Sequence, residues 1–161
     1  TDIFKVRFAA PPDIAAIAAI YGEAVANGTA PFEPAGPREA EKTPPVGAWS
    51  APPGRAIPAA AGLRFPVEDS IYIDPAAQRL GIGRALLARL VAESEARGFR
   101  QMLAVIGDSE NAGSIRLHAA LGFRMVGNFE NVGWKHGRWL DSVLMQRALG
   151  EGAEAPPPPG A

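Results

Sequence analysis

The sequence predicts an α/β fold, in which strands and helices alternate along one chain. Three stretches carry this prediction: residues 3–8 alternate between apolar and basic side chains, residues 70–97 read as strand, glycine turn and helix, and residues 101–106 are nearly all apolar. A period of two is typical of a half-buried strand, whereas a continuous apolar run is typical of a central strand covered on both faces.

The N-terminal part predicts a strand followed by a helix. Residues 3–8 place three apolar side chains on one face and two basic side chains on the other. Pro11-Pro12-Asp13 is a typical helix start, because proline fits the first turn and an acidic group suits the helix dipole. An apolar stripe follows at helical spacing, and Asn27-Gly28 ends the helix.

The second half predicts two helices placed between strands. Residues 83–97 carry leucine and valine on one face and charged side chains on the other. Asn111 caps the next helix, which ends at Gly122. Residues 123–126 and 142–146 are predicted to close the sheet as strands.

Length and composition indicate one domain with a small-molecule partner. We assign residues 1–149 to the domain and expect residues 150–161, with four consecutive prolines, to be disordered. A net charge of −1 gives no footprint for nucleic acid or an anionic membrane. The sequence has no cysteine, so it excludes an acyl-cysteine intermediate, and no metal site is predicted. The absence of a signal-like start favours a cytoplasmic location.

The stretch from Gln78 to Gly83 organises the prediction of function. It reads Gln-Arg-Leu-Gly-Ile-Gly and lies between the apolar run and the clearest helix. A helix start after such a turn presents unpaired backbone N–H groups and the positive end of the helix dipole. Because glycine has no Cβ, a pyrophosphate can approach this backbone closely.

This Gln-x-x-Gly-x-Gly pattern resembles the coenzyme A signature of the GNAT superfamily of N-acetyltransferases. Residues 67–73, 111–123 and 133–141 resemble its phosphinothricin/methionine-sulfone acetyltransferase branch. The resemblance covers Lys5 to about Thr29 and Arg64 to about Leu149. It implies a central mixed twisted sheet flanked by helices and splayed where acetyl-CoA binds. It also implies direct acetyl transfer to the amine of a small amino-acid analogue, and a homodimer.

The middle of the chain departs from this family pattern. The superfamily places a hairpin between its first helices and the cofactor strand, yet residues 31–66 hold nine of the 16 prolines. Proline lacks the N–H group that a central strand must donate. Two explanations stay open: an irregular proline-rich insertion, or an error in the written sequence such as a reading-frame slip.

The resemblance assigns the cofactor to the strand and the helix start. The strand at residues 71–73 would pair with the pantetheine arm, and the backbone from Leu80 to Ala85 would bind the pyrophosphate with help from a nearby arginine. Asn111 would hydrogen-bond the pantetheine arm, and Ser114 is a further contact. The residues assigned to the cofactor are therefore Ile71, Tyr72, Ile73, Gln78, Arg79, Leu80, Gly81, Ile82, Gly83, Arg84, Ala85, Asn111 and Ser114.

Two residues are candidates for proton transfer. Glu68 matches the glutamate proposed as the base in this branch; the alternative is a solvated loop carboxylate, as we expect for Asp69. His118 occupies the position where many members of the family have a tyrosine that protonates the departing thiolate, and imidazole can serve as that acid near neutral pH. The alternative for His118 is a core or surface histidine.

Further residues are assigned to the acceptor by the resemblance. Arg64 resembles the arginine that pairs with the acidic groups of the acceptor, for which a planar guanidinium is suited. Thr29, with Asn27-Gly28 before it, would lie near the substrate unless this segment is an ordinary helix end. Lys135 belongs to a segment with His136 and Arg138 that faces the acceptor or a partner subunit, or else forms a tight turn between closing strands.

Two other functions remain open at this stage. The same fold and cofactor site could serve a different amine, from another small molecule to a protein N-terminus. A non-catalytic coenzyme A binding module is the third hypothesis, because the irregular middle puts the acceptor pocket in doubt.

Overall fold

The computed structural model describes residues 4–29 and 65–156. These residues form three helices and four strands: α1 (Ile14–Asn27), β1 (Pro66–Asp69), α2 (Ile82–Ala96), β2 (Gln101–Gly107), α3 (Ala112–Ala120), β3 (Arg124–Lys135) and β4 (Arg138–Ala148). Short 3-10 turns at Pro11–Asp13 and Pro75–Ala77 precede α1 and α2. The alternation of strands and helices confirms the predicted α/β fold.

The described strands form one mixed sheet in the order β1-β2-β4-β3. β1 pairs with β2 in parallel, and β4 pairs in antiparallel fashion with both β2 and β3. A parallel pair requires a crossover connection, and α2 provides it. The sheet is therefore mixed, as predicted.

The core lies between one face of β2 and the helices α2 and α3. Side chains alternate along a strand, so Met102, Ala104 and Ile106 share the face that is buried. The same core cluster contains the inner residues of α2, which are Leu87, Leu90 and Val91. Partly buried side chains of α3 and of the residue after it pack against this cluster: Ile115, Leu117 and Leu121. At the start of α2, Gly83 lies next to Leu117 of α3 and next to Ile73, which follows β1. Among the described helices, none is long and apolar enough to cross a membrane.

Two predicted strands differ from the structure. Residues 4–10 form no strand, although they alternate as a strand would; the interval expected to pair with them, residues 30–64, lies outside the described residues. The strand predicted at residues 71–73 is displaced, because β1 ends at Asp69. Pro66 begins β1, a position where its missing N–H costs no ladder hydrogen bond.

The C-terminal hairpin is longer than the sequence predicts. β3 continues from the predicted residues 123–126 to Lys135, and β4 runs from Arg138 to Ala148. The length of β3 could not be predicted from its many polar residues. β3 is an edge strand with two register shifts, so its apolar and polar side chains do not alternate regularly. His136 and Gly137, both with positive φ, form the tight turn that was one of the two alternatives.

The start of the predicted disordered tail is folded. Residues 150–156 turn back on the sheet, where Gly152 donates its N–H to the Leu149 carbonyl and Arg100 pairs with Glu151 at 3.0 Å. Residues 157–161 lie outside the described part of the chain.

Candidate functional site

The site begins where β1 and β2 separate. The two strands pair only from Pro66 opposite Gln101 to Asp69 opposite Ala104. Beyond this point β2 continues to Gly107, whereas residues 70–74 leave the sheet without strand pairing. Beyond Ala104, the edge of β2 that faced β1 therefore presents backbone groups that an extended ligand can pair with.

A cleft of about 620 Å³ occupies the space between the separated strands. It is walled by the end of α1, the segment after β1, the end of β2 and the start of α3. Its lining residues are Ile20, Glu23, Ala24, Asn27, Gly28, Thr29, Asp69, Ser70, Ile71, Tyr72, Ile73, Pro75, Gln78, Ala104, Val105, Ile106, Gly107, Asp108, Glu110, Asn111, Ser114, His118 and Arg138.

The N-terminus of α2 has the features of an anion-binding site. Gly81 is its N-cap, with φ of 81°, and it makes no side-chain cap. A Cβ at Gly81 would meet no atom within 4 Å, so the space in front of this backbone is open. The first N–H groups of α2 thus lack a capping side chain and lie at the positive end of its dipole. Arg79 and Arg84 are exposed on either side.

Gly83 has a different role from the one predicted for it. A Cβ at Gly83 would lie 3.3 Å from Leu117 Cδ2 and 3.8 Å from Ile73 Cγ1. Gly83 is thus needed where α2 packs against α3, and its missing side chain does not clear the phosphate position.

A buried ion pair lies at the apex of the cleft. Asp69, in β1, and His118, in α3, have side chains only 3% and 5% exposed, and His118 Nε2 lies 3.0 Å from Asp69 Oδ2. The imidazole also packs edge-on against Phe123, with 5.0 Å between ring centroids. Asp69 is therefore the reverse of the solvated loop carboxylate expected from the sequence.

The surroundings of His118 favour its charged form. Nε2 faces the Asp69 carboxylate, and Nδ1 lies 2.8 Å from the Ser114 carbonyl oxygen, so both ring nitrogens must donate. Burial lowers the pKa of His118, but the hydrogen bonds to Asp69 and Ser114 outweigh it and the pKa is raised above 6.5. The protonated form that an acid requires is thus favoured at His118, although both its N–H groups already serve protein acceptors.

Glu68 lies beside this pair but on the other face of β1. Its side chain is exposed and does not line the cleft. Desolvation and, to a smaller extent, the Asp69 carboxylate raise the pKa of Glu68, which is the direction a base for an amine needs. Its role as the catalytic base stays a prediction.

Asn111 and Ser114 lie in the cleft, where the pantetheine arm was expected. Asn111 is the N-cap of α3, because its Oδ1 accepts the Ser114 N–H at 3.2 Å. This leaves its side-chain NH₂ for a ligand. Ser114 Oγ lies 3.4 Å from His118 Nδ1. This contact connects the cleft lining at the start of α3 to the buried Asp69–His118 pair.

The end of α1 forms the opposite wall, as expected for Asn27, Gly28 and Thr29. Thr29 donates its hydroxyl to the Gly107 carbonyl at 2.9 Å, and His136 donates Nε2–H to the Gly28 carbonyl at 3.0 Å. These two bonds tie α1 to the end of β2 and to the C-terminal hairpin. The three residues thus line the cleft with part of their hydrogen-bonding capacity already used.

Neither of the two basic residues predicted to bind the acceptor, Arg64 and Lys135, is among the described residues that line the cleft. Arg64 lies outside the described residues. Lys135 is not among the lining residues, whereas Arg138, three residues later, lines the cleft and pairs with Asp108 and with Glu110. In the described part of the chain, Arg138 is thus the guanidinium that reaches the site.

Asp69 is the main site residue that the sequence reasoning missed, although the sequence carried a signal for it. Val67 and Ile71 both pack against the core, and Asp69 stands between them with the same parity. Alternation along an extended chain therefore places Asp69 on the buried face and Glu68 on the opposite one. A carboxylate at an inward position needs a partner, and His118 is that partner.

Comparison with known proteins identifies the family. The model of the acetyltransferase (GNAT) family matches residues 18–123. A phosphinothricin N-acetyltransferase of Alcaligenes faecalis is 40% identical over 164 residues, covering 91% of this chain and 83% of that protein. An L-methionine sulfoximine/L-methionine sulfone acetyltransferase of Pseudomonas aeruginosa is 35% identical over 170 residues, covering 94% and 98%.

Solved structures give the same result. A phosphinothricin acetyltransferase of the GNAT superfamily from Sinorhizobium meliloti, in complex with AcCoA, has a TM-score of 0.83 at 40% identity, covering 96% of this chain and 93% of that one. A putative acetyltransferase from Salmonella typhimurium, solved with its cofactor acetyl-CoA, has a TM-score of 0.78 at 36% identity, covering 96% and 98%.

We expect NMR titration to show His118 with a pKa above that of an ordinary histidine, because its hydrogen bonds to Asp69 and Ser114 outweigh burial. Asp69→Asn should move this pKa downward, since burial would then act with less opposition. The chain has two histidines, so His136→Gln assigns the signals. A pKa for His118 at or below the ordinary value would contradict the pair.

The same shift fixes the sign of a stability effect. The pKa of folded His118 lies above its unfolded value near 6.5. The stabilisation from the pair is therefore complete below pH 6.5 and is lost as pH rises through the folded pKa. Asp69→Ala should lower the unfolding free energy at pH 6 by about 3–5 kcal/mol, as for other buried pairs, and by less at pH 9.

Proposed function

We infer that this chain, which belongs to the acetyltransferase (GNAT) family, acetylates the primary amine of a small amino-acid analogue of the phosphinothricin or methionine sulfone and sulfoximine type. The cofactor is acetyl-coenzyme A. One observation carries the proposal: a cleft opens between β1 and β2, with the anion-binding start of α2 nearby and the buried Asp69–His118 pair at its apex.

The residues of the cleft fit the cofactor. When bound, acetyl-coenzyme A supplies the acetyl thioester. The backbone N–H groups at Gly81 to Gly83 would hold its pyrophosphate, with Arg79 and Arg84 adding positive charge. The segment of residues 71–73, which belongs to no strand of the described sheet, would hold the pantetheine arm, and Asn111 would add a side-chain hydrogen bond.

The charges in the cleft support an amine as the acceptor. The lining has four carboxylates and two basic side chains: Glu23, Asp69, Asp108, Glu110, His118 and Arg138. An excess of negative charge attracts a cationic amino group. Arg138 is suited to the carboxylate of an amino-acid analogue, because its guanidinium can bind two oxygens at once, although Asp108 competes for it.

Direct transfer within a ternary complex is part of this proposal, and the absence of an acyl-cysteine intermediate supports it. The sequence contains no cysteine that could carry the acetyl group. In this proposal Glu68, which lies outside the cleft, accepts the proton of the amine through a water, and His118 acts on the departing thiolate as an acid or through its charge. The same proposal places this reaction, which consumes acetyl-coenzyme A, in the cytoplasm.

The reaction can be tested by measuring thiol release from acetyl-coenzyme A with a panel of amines. We expect phosphinothricin, methionine sulfone and methionine sulfoximine to be acetylated, and their N-acetyl products to be found by mass spectrometry. Peptide N-termini and simple alkylamines are the controls. Acetylation of peptides alone would replace the acceptor class, and binding without transfer to any amine would favour a coenzyme A binding module.

The anion site can be tested with two matched glycine variants. Gly81 and Gly98 lie at opposite ends of α2 with φ of 81° and 82°, and a Cβ at either meets no atom within 4 Å. Leucine at either position should cost about 1–2 kcal/mol of stability from the left-handed backbone. We expect Gly81→Leu alone to weaken acetyl-coenzyme A binding, at least about tenfold by calorimetry. Equal losses of acetyl-coenzyme A affinity in both variants would refute the anion site at the start of α2.

The homodimer predicted from the sequence is also part of this proposal. β3 is an edge strand of the described sheet, and large apolar side chains are exposed on the hairpin: Met125, Val126, Phe129, Val132, Trp134 and Trp139. An exposed apolar edge of this kind favours pairing with another chain. A second copy offers the same surface.

Light scattering during gel filtration should give twice the chain mass. Phe129→Glu should shift the protein to a monomer, because it places a charge in the apolar patch. Glu130→Gln, on the same strand, is the control and should leave the mass unchanged. A monomeric wild-type protein at micromolar concentration would exclude the dimer.

A further inference from the structure

We propose that Asp69 anchors the amino group of the acceptor through its second carboxylate oxygen, Oδ1. Asp69 lines the cleft, and its side chain is only 3% exposed. Oδ2 is bound by His118 Nε2, whereas Oδ1 is buried and has no hydrogen-bond partner among the described residues. The inference rests on the proposed function, since it names a residue that holds the acceptor in that reaction.

An unsatisfied carboxylate oxygen is costly in this position. A carboxylate can accept about four hydrogen bonds, and a buried oxygen without a donor loses its hydration without replacement. The ion pair with His118 compensates the charge but leaves Oδ1 without a donor. Because Asp69 lines the cleft, a molecule bound there can supply the missing donor.

The direction of the chain places Asp69 at the reactive end of the cofactor. With the pyrophosphate at Gly81 to Gly83, the pantetheine arm would run back along residues 73 to 71 toward β1. The cleft closes where Asp69 pairs with Ala104, the last pair between the strands. In this arrangement the thioester would lie at the apex, beside the Asp69–His118 pair.

The chemistry of the two substrates selects the donor. The thioester carries a carbonyl oxygen and a sulfur but no N–H or O–H group, and the pantetheine amides lie further back along the arm. The amine of the acceptor must approach the thioester carbon, and it carries N–H groups. A hydrogen bond from the amine to Oδ1 would orient the nitrogen so that its lone pair faces that carbon.

His118 and Glu68 have roles distinct from that of Asp69. His118 donates to Oδ2 and balances the carboxylate charge, so that Oδ1 remains an acceptor for the amine. Glu68 lies on the opposite face of β1 and outside the cleft, so as the base it would receive the proton through a bound water. Anchoring and proton removal are thus assigned to neighbouring carboxylates on opposite faces of one strand.

The test compares Asp69→Asn with the wild type in steady-state kinetics. We expect the KM for the amine to rise about 10- to 100-fold, the loss of one charge-assisted hydrogen bond. The KM for acetyl-coenzyme A should stay within about twofold of the wild type. The residues proposed to hold the cofactor, which are Gly81 to Gly83, residues 71–73 and Asn111, are unchanged in this variant. Calorimetry with methionine sulfone in the presence of coenzyme A should show the same loss of affinity.

Two further variants separate anchoring from folding. Asp69→Asn with His118→Gln replaces the ion pair by a neutral hydrogen-bonded pair and leaves no unpaired buried charge, so the weaker amine binding should persist in a stable protein. Asp74→Asn is the charge control: Asp74 caps the turn at Ala76, asparagine caps as well, and the residue does not line the cleft. It should bind the amine as the wild type does.

The outcomes distinguish this inference from the proposed function. An unchanged KM for the amine in folded Asp69→Asn overturns the anchor, as does a change confined to the KM for acetyl-coenzyme A. If the wild type acetylates a different class of amine, the proposed acceptor is wrong, and the anchor is judged by the same KM comparison on that amine. If it acetylates none, both proposals fail.

Discussion

The cleft depends on how briefly β1 pairs with β2. After four paired residues on each strand, the segment from Ser70 to Asp74 turns away toward α2. Ile71 and Ile73 remain held by apolar contacts, Ile71 with the core and Ile73 near the first turn of α2. Burial of these side chains thus competes with sheet pairing, and it leaves the end of β2 without a neighbouring strand on this side of the cleft.

The buried ion pair is a second consequence of this geometry. The last residue of β1 faces α3 at the point where the strands part, so a charge there is shielded from water. Asp69 and His118 each need the other, because an isolated buried charge is far less favourable than a paired one. Since α3 is also capped by Asn111 in the cleft wall, the helix places both the His118 imidazole and a polar side chain at the cleft.

The C-terminal hairpin closes the site from the far side. His136 at its turn bonds the end of α1, and Arg138 after the turn pairs with Asp108 at the end of β2. Asp141 of β4 accepts hydrogen bonds from Ser109, Asn128 and the Asn131 backbone, and these bonds lower its pKa. The loops around the cleft are therefore joined to one another by polar contacts from a single hairpin.

The sequence determined the parts of this protein that depend on local physics. Residue patterns predicted α1, α2, α3 and β2, and the Gln78–Gly83 pattern identified the glycine turn at the start of α2, because glycine spacing and capping act over a few residues. The same pattern, with its neighbours, identified the family. Parity along β1 could also have placed Asp69 inward.

Only the tertiary structure decided what depends on distant residues. It ended β1 at Asp69, assigned Gly83 to helix packing, and extended the edge strand β3 through polar residues. It also brought Asp69 to His118, 49 positions away, and Arg138 in place of Lys135 to the cleft. These outcomes follow from which chain covers which face of the sheet, and no local pattern carries that information.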